Sequence, residues 1–123
     1  MDYKLAIETK NDVLWVKATG TRSPETVLGM SGDVLEACVT ERVKKVLIDV
    51  RDLQGRLLPK DSYDIAAKHF PKIRDPNVIT QTALVDLEEF RDQYRFFENV
   101  AVNRGFNLRI FPNVEDALQW LAK

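Results

Sequence analysis

Residues 43–50, Val-Lys-Lys-Val-Leu-Ile-Asp-Val, set the topology of this chain. Val46, Leu47 and Ile48 follow one another without a polar interruption, the pattern of a strand covered on both faces rather than one. A doubly covered strand needs helices around it and parallel neighbours beside it. Upstream, Ser23-Pro24-Glu25 is a helix start, with serine as N-cap and proline at the first helical position. The helix that follows places Val27, Leu28, Val34, Leu35, Cys38 and Val39 on one apolar stripe. Gly29 and Gly32 interrupt it and point to close packing against the sheet, to a kink, or to a partner or ligand approaching the backbone. Further upstream, Tyr3, Leu5 and Ile7 alternate with Lys4, Ala6 and Glu8, and residues 13–19 are rich in β-branched and aromatic side chains. With Lys10-Asn11-Asp12 between them, they read as a hairpin.

Downstream, residues 51–60 form a ten-residue connection. Asp61 or Ser62 then caps a helix carrying Ile65, Ala66 and Phe70 and ended by Pro71. Asp75-Pro76-Asn77 is a turn and residues 78–85 a strand. Phe90, Tyr94, Phe97 and Ala101 give one helical face, closed by Gly105 after Arg104. Residues 108–111 are a short strand. Asn113 caps a last helix carrying Val114, Ala117, Leu118 and Leu121, with Glu115 and Asp116 favourably placed in its first turn. The order, an initial hairpin followed by βα units, predicts an α/β fold with a mixed, largely parallel sheet of four to five strands. It fills residues 1–123 as a single domain.

The 123 residues include 18 Lys or Arg, 19 Asp or Glu, one His and one Cys, for a net charge of −1. That balance argues against a nucleic-acid partner, which usually calls for a basic domain. The longest uncharged run, Pro76 to Val85, is about half the ~20 residues needed to span a bilayer. Charges close to the amino terminus argue against a secretory signal, so a cytoplasmic location is expected. Cys38 and His69 cannot build a metal site, and no phosphate loop, dinucleotide fingerprint or nucleophile elbow is present; no cofactor is expected. The charge is unevenly spread. Residues 42–74 hold nine basic and four acidic side chains, a local +5, which leaves −6 for the remainder.

Two stretches carry a resemblance. One is Val46-Leu-Ile-Asp-Val-Arg-Asp-Leu-Gln-Gly55. The other runs from Phe97 to Leu121, with Arg104-Gly105 ending a helix, a strand ending at Phe111, and then Glu115, Ala117, Leu118, Trp120 and Leu121. Together they resemble the STAS domain superfamily in its SpoIIAA-like branch. The resemblance implies about four helices packed mainly on one side of the sheet, and a non-catalytic regulatory module that binds a protein partner. It also implies a phosphorylatable serine in an Asp-Ser pair at the helix after the central strand. Asp61-Ser62 matches by position, and Ser62 reads either as that site or as an ordinary N-cap. By fold analogy with CRAL-TRIO domains, the alternative is a binder or carrier of a lipid or small hydrophobic ligand.

The expected surface is Arg56-Leu57-Leu58-Pro59-Lys60, where two leucines flanked by cations suit a lipid surface or a hydrophobic partner groove, or a hydrophobic or anionic small ligand, unless the leucines tuck under the loop. Phe96 and Val100 project away from the main face of their helix and could line a pocket or a homodimer contact. Cys38 is expected in the core, and Asp49 as a loop-capping acid at a strand end. An enzyme would need Asp49, His69 and a serine or arginine gathered in one pocket.

Overall fold

The computed structural model describes residues 2–73 and 77–123. Strands β1 (Tyr3–Lys10) and β2 (Val13–Thr21) form the hairpin. Asn11 and Asp12 both take positive φ, 55° and 63°, so the link is a two-residue turn matched to the twist of the strands. Helix α1 (Pro24–Glu41) follows. Its Ser23 hydroxyl accepts from the Thr26 N–H, and the Thr26 hydroxyl accepts from the Ser23 N–H. The remaining elements are β3 (Lys45–Asp49), the two-residue β4 (Leu53–Gln54), α2 (Pro59–Asp64), a π-helical segment (Ile65–His69), α3 (Phe70–Ile73), β5 (Gln81–Val85), a short 3-10 turn (Glu88–Phe90), α4 (Arg91–Asn103), β6 (Leu108–Phe111) and α5 (Val114–Leu121). Of the turn expected at 75–77, Asp75 and Pro76 lie outside the described residues.

The sheet order is β1-β2-β3-β5-β6, with β4 paired to the end of β2. Only β1 and β2 are antiparallel; the other pairings are parallel. The run at 46–48 is indeed central: Val46 packs with Leu14, Val34 and Cys38, and Leu47 packs with Ala83, Ala117 and Leu121. Helices α1, α2 and α4 cover one face and α5 the other, as alternation along β3 requires. Asn113 caps α5 by accepting from the Asp116 N–H at 2.8 Å. Lys45, on a central strand, donates to the Leu121 carbonyl near the end of α5, which satisfies a carbonyl the helix leaves open.

Three local expectations change. The buried stripe of α1 is Thr26, Met30, Val34 and Cys38, a strict four-residue repeat, so Val39 falls on the solvent side. Pro71 does not end its helix. The Phe70 N–H reaches back to the Ile65 carbonyl, five residues earlier, and this wider turn accommodates the missing donor and bulk of the ring. The third change concerns Gly32, since Gly29 does pack closely against β1. A Cβ on Gly29 would lie 2.9 Å from the Tyr3 hydroxyl, whereas one on Gly32 meets nothing within 4 Å. Gly32→Ala should therefore stabilise the domain by about 1 kcal/mol. Gly29→Ala should gain nothing, because it disturbs the 2.6 Å bond from Tyr3 to Asp33. Urea unfolding of the two variants side by side checks the difference in sign.

Candidate functional site

A cavity of about 200 Å³ lies within the helical face of the sheet. Its floor is built from side chains of four strands, Leu5 of β1, Ile48 of β3, Leu84 of β5 and Ile110 of β6. Met30, Val34 and Leu35 of α1 form one wall; Tyr94 and Phe97 of α4, with Phe70, form the other. On the α4 side the rings pack on one another: Phe70 meets Phe97 edge-on at 5.7 Å and Phe106 at 5.4 Å. Leu53 and Leu57 border the cavity from the long connection, together with a small polar group.

That group is Arg22, Arg56 and Asp86. Asp86 follows β5 and its side chain is 3% exposed. It accepts from Arg56 Nη1 at 3.1 Å and Nη2 at 2.9 Å, from Arg22 Nη1 at 3.3 Å, and from the Leu87 N–H at 2.8 Å. Arg22, whose side chain is 10% exposed, also donates from Nη2 to the Val50 carbonyl at 3.0 Å. Its Nε is buried without a hydrogen-bond partner. Burial lowers the pKa of this guanidinium, Asp86 opposes that effect, and the Arg56 charge adds to it. Two cations thus share one carboxylate in a place shielded from water.

The residues expected at the surface separate. Arg56 is not a free cation. Besides Asp86 it holds Gln93 Oε1 at 2.9 Å and stacks over Phe90 at 4.1 Å. Leu57 is half-buried and lines the cavity, whereas Leu58 is 69% exposed. Lys60 is exposed and lies 3.9 Å from Asp64. Phe96 is 41% exposed and Val100 half-buried, and neither lines the cavity. Part of the local +5 is engaged: Arg51 and Arg56 are in ion pairs, Lys45 caps α5, and Lys68 lies 3.3 Å from Asp64.

Ser62 is not a helix cap. Leu58 occupies the cap position and Pro59 starts the helix, because proline's fixed φ and missing N–H suit the first helical position. Ser62 lies in the helix interior, buried, and lines the cavity. The dipeptide Leu58-Pro59 carried the signal for this start. Arg22 and Asp86 were not singled out from sequence, although Asp86 sits just past the carboxyl end of a parallel strand, where such sheets gather polar groups.

The remaining candidates behave structurally. Asp49 accepts from Arg51 Nε at 2.9 Å, Arg51 Nη2 at 2.8 Å and the Arg51 N–H at 3.1 Å. Burial pushes its pKa up, but the Arg51 bonds and the Arg51 and Lys17 charges outweigh this and hold it below the usual carboxylate value. It points, like Leu47, to the α5 face, whereas His69 is exposed on the helix of the opposite face. The sheet keeps the two apart. Cys38 is buried in the core, and burial pushes its thiol up to about 11. Among the described residues no helix is long and apolar enough to cross a membrane.

No family model and no curated protein matches the sequence. Similar solved structures include a crystal structure of an anti-sigma factor antagonist from Mycobacterium paratuberculosis, with TM-score 0.61 and 16% identity, covering 98% of this chain and 95% of that one. Another is an uncharacterized protein of the DUF3478 family with a SpoIIAA-like fold, from Shewanella loihica PV-4, with TM-score 0.58 and 22% identity, covering 97% and 93%. The order of strands, the placement of the helices and this whole-length likeness agree that the chain has a SpoIIAA-like α/β fold.

Proposed function

We propose that this domain is a cytoplasmic, non-catalytic regulatory module that docks onto a protein partner. The observation that carries the reading is the whole-length likeness to a protein described as an anti-sigma factor antagonist. The docking side is that of α2 and α4, where Leu58, Tyr63 and Phe96 are 69%, 39% and 41% exposed. Large apolar side chains exposed on neighbouring elements are a common mark of a protein contact. Lys60 supplies the solvent-facing cation there; Arg56 is committed to Asp86.

The triple substitution Leu58→Asp, Lys60→Glu and Phe96→Asp tests this, because exposed positions away from buried networks usually shift stability by no more than about 0.5 kcal/mol each. Wild-type protein used as bait should retain a partner at fixed stoichiometry, and the folded triple variant should not. Equal retention by both would sink the docking assignment. Modification of Ser62 belongs to this reading only with opening of the first turn of α2, since the residue is buried. Ser62→Asp should accordingly lower stability by about 2 kcal/mol, where a serine at an exposed cap would leave it unchanged or raise it. Thermal denaturation gives the sign.

A second reading, a small hydrophobic ligand, is favoured by the cavity between α1 and α4.

A further inference from the structure

The cavity and its polar border together specify a ligand chemistry. Its floor and walls are apolar, with Leu84, Ile110, Met30 and Phe97 among them. Its border holds two guanidiniums and a single carboxylate, Asp86. The Arg22 side chain is nine-tenths buried, lines the cavity, and leaves its Nε without a partner. A buried polar donor normally finds an acceptor, and a buried excess of positive charge normally finds an anion. What would satisfy both is an anionic group at the Arg22–Arg56 border carrying an apolar tail into the cavity. The volume bounds the tail: a cavity of about 150 Å³ accepts benzene, so 200 Å³ has room for roughly eight non-hydrogen atoms.

We propose that the cavity binds an unbranched medium-chain monocarboxylate of about six to ten carbons, with its carboxylate against Arg22 and Arg56 and its tail over Leu84 and Ile110. The proposal specifies the ligand reading and is independent of the protein-partner reading. A carboxylate suits the border because a guanidinium offers it paired, charge-assisted hydrogen bonds. The chain length is set by the floor. Each buried methylene should multiply affinity by about four until the cavity is full, after which longer chains gain nothing.

Titration calorimetry on the full chain with butanoate, hexanoate, octanoate, dodecanoate and octan-1-ol tests this. Octanoate should bind one to one, about tenfold tighter than octan-1-ol, and the rise in affinity with chain length should stop between octanoate and dodecanoate. Leu84→Phe, which fills part of the floor, should abolish octanoate binding. Arg22→Met should remove the preference for octanoate over octan-1-ol while tail binding remains. If Arg22→Met fails to fold, the octanoate-to-octanol ratio of the wild type still decides the head group. Binding of octan-1-ol with no advantage for octanoate would overturn the carboxylate assignment and leave the hydrophobic-ligand reading standing. No binding of any of these at millimolar concentration would overturn both.

Discussion

Asp86→Asn should cost this domain about 3–5 kcal/mol, the range expected when one member of a buried charge group is neutralised and its partners remain. The substitution preserves size and one acceptor oxygen, so the loss would come from electrostatics. Asp86 pairs with both Arg22 and Arg56, at 3.3 Å and 2.9 Å, and its side chain is 3% exposed. Without its charge the two guanidiniums repel each other in a medium that screens poorly. The Leu87 N–H also depends on it, at 2.8 Å. Urea unfolding monitored by tryptophan fluorescence should show the midpoint falling sharply with little change in slope. A variant with Arg22→Met, Arg56→Met and Asp86→Leu together should recover much of the loss, because an apolar cluster has no charge to desolvate. A single Asp86→Asn loss below about 1 kcal/mol would mean that water screens the group, contrary to its burial.

Glu98→Ala should be the next most damaging change, at about 2–3 kcal/mol. Glu98 is buried on α4 and accepts the Ile110 N–H at 2.7 Å. Arg95 binds both of its oxygens at 2.9 Å, and its Nη1 lies 3.5 Å from the Ile110 carbonyl. Strand β6 is an edge of the sheet, and an edge strand with unpaired backbone groups invites pairing with another chain. The Arg95–Glu98 pair occupies those groups from the side. Hydrogen exchange should therefore show the Ile110 amide protected in the wild type and fast in Glu98→Ala, and light scattering should show the variant self-associating as concentration rises. Glu98→Gln retains an acceptor and should lose about 1 kcal/mol. An unchanged Ile110 exchange rate in Glu98→Ala would rule out the proposed role of the carboxylate.

Features resting on interactions within a few residues are legible in the amino-acid sequence. The Ser23-Pro24 start of α1, the Asn11-Asp12 turn and the Asn113 cap each depend on geometry within one turn of chain, and each appears where its residues indicate. The central position of β3 is legible because a strand buried on both faces has no polar side to show. At two places local signals compete, and the one that prevails is not the one the pattern favours. Pro59 outranks Asp61 and Ser62 as a start signal because its ring presets φ. The π-helical turn before Pro71 lets the helix pass a residue that ordinarily stops it.

Element order and the parallel sheet follow from the chain's own residues. Periodicity, caps and turn residues are short-range, and parallel strands impose their helical connections. What the basic middle of the chain does is settled instead by long-range packing. Arg56 meets Asp86 across 30 positions and Arg22 meets it across 64; no spacing rule reaches that far. The cavity is likewise a property of packing. Its volume is what remains when α1 and α4, widely separated along the chain, settle on one face with residues of both lining the space. Side-chain identity alone says which residues avoid water. Whether they close on each other or leave room for a ligand depends on how rigid helices of fixed length cross a twisted sheet.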